Sequence, residues 1–180
     1  MNIDQICSVS AHCGIGPRIG IAGTAGLLLA LVPSWLWPER CAMPLPAALS
    51  RVLGLLLLVL GSGLYAWSLV LLRRAWSQNH LATTGPFATM RHPVYAAWIW
   101  GFFPAIALLA HSWPYLLAPA LALWAFARHR DREERDTRQR FGATYDDYAR
   151  AVPGRILPRR HHPPPQPRKQ EINREFPTKN

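Results

Sequence analysis

Two uncharged apolar runs constrain this chain more than any other feature. Ile19 to Trp37 is 19 residues long and Val52 to Leu72 is 21, each close to the ~20 residues a helix needs to cross hydrocarbon. Both read as transmembrane helices. Arg51 and Arg73-Arg74 bracket the second and mark where it leaves the bilayer. Pro33 falls near the end of the first, where a kink is expected. Gly54, Gly61 and Gly63, with Ser62, give the second a small-residue stripe, read as helix contact rather than as a ligand site.

Tyr95 to Ala110 and Trp113 to Ala127 are further apolar runs of 16 and 15 residues, separated by His111-Ser112. So short a connection predicts an antiparallel helical hairpin, with Pro93 and Pro114 each in the first turn of its helix, where proline is tolerated. Both runs fall short of a crossing at ~1.5 Å per residue, so the helices must continue beyond the apolar part at the open ends. No breaker intervenes between Pro119 and Gly142, and the last helix is expected to run from the bilayer into water. The expected fold is all-α: an integral membrane helical bundle of about four transmembrane helices, with a C-terminal helical hairpin and a cytosolic extension. Residues 1–158 form the domain; 159–180, a basic proline-rich tail with His161-His162, read as disordered and solvated.

The formal charge of +10 is carried by arginine, since Lys169 and Lys179 are the only lysines. Arg18, Arg73, Arg74, Arg91 and Arg128 onward outweigh Arg40 and Arg51, which puts the first group and both termini in the cytosol. A membrane face, rather than nucleic acid, is therefore the expected partner, because no aromatic-interleaved basic platform is visible. The arginine, alanine and leucine bias fits a bacterial inner-membrane protein. Cys7, Cys13 and Cys41 lack C-x-x-C spacing and read as free thiols, and His12 beside Cys13 adds too little for a metal site. The N-terminus has no basic n-region, so the first apolar segment is expected to be retained.

Polar groups gather at the open ends of the hairpin. Thr84-Gly85-Pro86-Phe87 is turn chemistry that lets a ligand approach the backbone, and Arg91, His92 and Tyr95 follow it. On the last helix Glu133, Thr137 and Arg140 recur at helical spacing, as do Glu134, Arg138 and Phe141. Charge pattern alone allows a plain reading, with Arg91 and His92 as anchors and Glu133-Glu134 in i,i+4 ion pairs with neighbouring arginines. The clustering also allows a ligand pocket at the membrane surface.

The ordered set T-T-G-P-F-x-x-x-R-H-P-x-Y, an apolar hairpin, E-E, and Phe141-Gly142-Ala143-Thr144-Tyr145-Asp146-Asp147-Tyr148 with Val152-Pro153 resembles the isoprenylcysteine carboxyl methyltransferase family. The wider superfamily includes phospholipid N-methyltransferases and small-thiol methyltransferases. The likeness spans about residues 51 to 158. It implies a membrane enzyme that uses S-adenosylmethionine, with Arg91, His92, Tyr95, Glu133, Glu134, Gly85 and Pro86 at the cofactor and the C-terminal part as a cap. It further implies Arg140 near the methyl-accepting carboxylate, with Glu134 as its acidic neighbour, and no metal.

The acceptor is left open between an isoprenylcysteine-like carboxylate, another small lipid or metabolite, a phospholipid amine and a thiol. A carboxylate is already anionic at pH 7 and needs no base; an amine or thiol would need His92 or Glu134 to take its proton. Two other classes stay in view. Sterol reductases carry similar motifs and use NADPH, and a non-catalytic relative would serve as a membrane scaffold.

Overall fold

The computed structural model describes residues 16–152, 154, 156 and 157. Cys7, His12, Cys13, Pro153 and the expected tail at 159–180 lie outside the described residues. Among the described residues six helices follow one another: α1 Gly16–Leu36, the short α2 Pro38–Cys41, α3 Ala47–Ser77, α4 Pro93–Leu109, α5 Leu117–Phe141 and α6 Ala143–Ala151. Single 3₁₀ turns at Gly85–Ala88 and Trp113–Leu116 precede α4 and α5.

By length and composition α1 and α3 could each cross a membrane. Leu28, Leu29, Val59 and Leu60 each expose more than half their surface. Side chains of this kind on both helices suit lipid rather than water. The apolar run of α3 is only its middle, for the helix reaches 31 residues and carries Arg73, Arg74 and Trp76 beyond the hydrocarbon. Helix α5 is continuous to Phe141, as its lack of breakers requires, and ends where Gly142 takes φ 54°.

The predicted hairpin reverses at Ala110–Ser112, but its two arms choose different partners. Helix α4 lies along α3 and α5 lies along α1. Lipid supplies no hydrophobic drive between helices, so the contacts rest on backbones approaching closely at small residues. A Cβ on Gly26 would meet the Ala118 backbone at 2.6 Å, and one on Gly61 would meet Gly101 Cα at 3.1 Å. Gly54 packs likewise on Ala105 and Leu109, whereas Gly63 faces open space. The expected stripe is thus a contact through Gly54 and Gly61, with Gly63 outside it. Gly23 receives the ring of Phe103, which with Ile19, Ile99, Ala118, Ala122 and Phe126 forms the buried core.

Helix α4 is not uniform. From Ala97 to Phe102 it widens to π geometry, and the Phe103 N–H reaches the Trp98 carbonyl. Pro104 supplies the reason: it has no N–H to continue the ladder, and its ring crowds the carbonyl four residues back. An extra residue in the preceding turn relieves that crowding. At the other end of the hairpin, the Ser50 hydroxyl donates to the Leu108 carbonyl at 2.7 Å and Ser34 bonds Ser112 at 2.8 Å.

Candidate active site

The open ends of α4 and α5 meet at one wall. His92 caps α4 and Pro93 opens it, so the Ala96 N–H bonds the His92 carbonyl and Tyr95 comes round beneath His92. Their rings stack at 5.7 Å between centroids, with Phe126 of α5 edge-on to His92 at 5.3 Å. The Tyr95 hydroxyl donates to Glu133 Oε1 at 3.1 Å. Arg91 Nη1 lies 3.0 Å from Glu134 Oε2, and His92 Nε2 lies 3.4 Å from Glu134 Oε1, with all three side chains largely buried. These contacts run between helices, where charge pattern alone allows i,i+4 pairs within α5. Glu134 faces across to the other helix, while Arg138 turns to Asp146 at 2.6 Å.

The C-terminal part folds back over this wall. Tyr148 donates its hydroxyl to the Phe87 carbonyl at 2.8 Å, and the Arg91 N–H donates to the Gly154 carbonyl at 2.9 Å. Burial pushes the Tyr145 phenol up, the Glu134 carboxylate adds to the shift and Arg91 opposes it. Tyr148 is pushed up further by burial, again against Arg91. Both phenols therefore stay protonated hydrogen-bond donors at neutral pH.

Between these elements opens a cavity of about 660 Å³, inside the ~300–1,000 Å³ usual for small-ligand sites. Its polar end is lined by Arg91, His92, Tyr95, Glu133, Thr137 and Arg140. Its apolar end is lined by Tyr65, Leu69, Leu72 and Trp76, one stripe of α3, with Trp98 opposite. Tyr65 meets Trp98 edge-on at 6.1 Å. Arg140 stands exposed at the rim and donates to Asn79 Oδ1 at 2.7 Å.

Of the residues nominated from sequence, Arg91, His92, Tyr95, Glu133 and Arg140 come together around the cavity. Glu134 is not among its lining residues; it holds Arg91 and His92. Gly85 and Pro86 are also outside the lining. Gly85 has φ 60°, and a Cβ there would strike Leu71 Cδ1 at 2.7 Å. The buried Pro86 gives its carbonyl to the Thr89 and Met90 N–H groups. This turn packs on α3 and leads the chain into Arg91. Sequence reasoning passed over Tyr65, Trp76, His80, Tyr145 and Tyr148, all on the cavity.

Residues 51–138 match the model of the isoprenylcysteine carboxyl methyltransferase (ICMT) family. That stretch, just under half of the chain, is similar to the ICMT family. The match takes in α3 from Arg51 onward, the R-H-P-x-Y segment, the whole hairpin and Glu133-Glu134, so the wall just described lies inside the stretch that resembles a family of membrane methyltransferases. Residues 139–157, which carry Arg140 and the cap, lie beyond it. No curated protein matches the sequence.

Proposed function

We propose that this chain transfers a methyl group from S-adenosylmethionine to a lipophilic acceptor at the cytosolic membrane face, with a carboxylate as the favoured acceptor. The observation that carries the reading is the meeting, at one cavity wall, of two motif segments about 40 residues apart, through Arg91–Glu134 and Tyr95–Glu133. In this reading α4 and the apolar part of α5 complete a four-helix membrane bundle with α1 and α3.

The donor set fits the cofactor. A guanidinium and an imidazole suit its amino-acid carboxylate, and a Glu133 carboxylate suits its ammonium or its ribose hydroxyls. When bound, it supplies a sulfonium methyl open to in-line displacement. Arg91 and His92 orient, Glu134 keeps both in place, and Tyr145 and Tyr148 help exclude water from above. The rim arginine, Arg140, would hold an acceptor carboxylate after exchanging Asn79 for it. The α3 stripe offers the acceptor's apolar part a surface continuous with the membrane. No base is needed for a carboxylate; the task is to align oxygen, methyl and sulfur.

Isothermal titration of the purified protein with S-adenosylhomocysteine tests the cofactor reading, and absence of binding by folded protein overturns it. Radiolabelled S-adenosylmethionine added to membranes tests the acceptor. Base-labile label in a lipid or protein fraction is the expected result for a methyl ester, and base-stable label would replace the ester with an amine or thiol product.

A further inference from the structure

A second cleft, of about 600 Å³, lies away from the cavity, between the start of α1 and the middle of α5. Four arginines line it: Arg18 from α1, and Arg128, Arg132 and Arg135 from α5. The α5 residues stand at helical spacing above Trp124, which also lines the cleft and leaves 64% of its surface exposed. His129, a further lining residue, bonds the Ala125 carbonyl through Nδ1 at 2.9 Å. Asp131 lines the cleft as well, with Arg130 at 3.4 Å from its carboxylate. The described ion pairs of the cavity wall draw on none of the four arginines.

This position is distinctive. Helix α5 changes from apolar to charged between Ala127 and Arg128, so the cleft sits at the bilayer boundary, with an indole at headgroup depth and guanidiniums just above. Guanidiniums arriving from two helices match the geometry of a phosphate, which they can grip with paired N–H donors. The exposed Trp124 below offers acyl chains an apolar surface. We propose that the cleft binds the headgroup of an anionic phospholipid, clasping α1 to α5 independently of methyl transfer.

The test uses the full chain in a neutral detergent, titrated with brominated phosphatidylglycerol while tryptophan emission is followed. Saturable quenching is expected, with Trp124→Phe removing its share; brominated phosphatidylcholine should quench only weakly. Each arginine removed should weaken phosphatidylglycerol roughly fivefold, so Arg132→Gln with Arg135→Gln should cost roughly 25-fold, and Arg18→Gln should weaken binding from the other helix. The corresponding lysine pair should retain most of the affinity, which separates charge from folding. Equal quenching by both lipids, or affinity untouched by the glutamine variants, overturns the proposal. So does inorganic phosphate that displaces the lipid at millimolar concentration, because the site would then be one for free anions. S-adenosylhomocysteine binding should be the same in all these variants, so failure here is distinguishable from failure of the methyltransferase reading.

Discussion

The Arg91–Glu134 pair permits the sharpest test, by a double-mutant cycle. At 3.0 Å, the gross attraction between unit charges is about 5 kcal/mol for an effective dielectric of 20. Desolvation of two largely buried groups opposes most of it, which leaves on the order of 1.5–3 kcal/mol of measurable coupling. Glu134→Gln keeps the shape of the side chain but leaves Arg91 without that charge, and Arg91→Gln does the reverse. Each single variant should lose several degrees of detergent melting temperature, at roughly 2–4 °C per kcal/mol for a chain of this size. The double variant should be more stable than the sum of the two losses allows, by the coupling energy. The same cycle read by titration with S-adenosylhomocysteine separates the two residues: Arg91→Gln removes a ligand contact, whereas Glu134→Gln acts only through the placement of Arg91 and His92. Additivity in both readouts would refute the idea that Glu134 organises this wall.

Other outcomes follow from single contacts. Gly26→Ala drives a methyl into the Ala118 backbone and should destabilise by about 1–3 kcal/mol, while Gly63→Ala, with open space around it, should be neutral in the same melt. Tyr148→Phe removes the bond to the Phe87 carbonyl and should cost about 0.5–1.5 kcal/mol, with faster release of S-adenosylhomocysteine in stopped-flow measurements. Because Tyr145 and Tyr148 are raised above the ordinary phenol value, their stabilisation is complete below about pH 10. It is lost as pH climbs through the folded values, and Tyr148→Phe should flatten that alkaline decline in melting temperature. Arg140→Gln should leave S-adenosylhomocysteine affinity intact and slow methyl transfer, measured with radiolabel; a parallel loss of both would move Arg140 to the cofactor.

The helices were legible because charge stops at the hydrocarbon edge, and the wall was legible because Arg91, His92, Tyr95, Glu133 and Glu134 occur in order around an apolar hairpin. What Glu134 does was not. Four arginines lie within four residues of it in sequence, and local spacing favours those neighbours, yet the carboxylate pairs across to Arg91. The apolar end of the cavity was hidden for another reason. Tyr65, Leu69, Leu72 and Trp76 have the composition of a lipid-facing stripe, and a face that touches lipid and one that lines an apolar cavity are written with the same residues. Tyr145 and Tyr148 lay within a quoted motif, but the Phe87 carbonyl that fixes one of them gives no side-chain signal. Arginine spacing on α5 was read as topology, although Arg18 completes a cleft only once α1 lies along that helix.

The wide turn at Ala97–Phe102 also sets the phase of everything that follows it in α4. Each residue of an α-helix advances the next by about 100°, so one inserted position swings Phe103, Ala105 and Ala107 to a new compass bearing while His92 and Tyr95 keep theirs. One helix thereby shows its first turns to the wall that holds Arg91 and Glu134 and its last turns to Gly23 and Gly54, two demands an unbroken period would set at odds. Deleting a single residue there would spin one end against the other, and the wall or the bundle would have to give way.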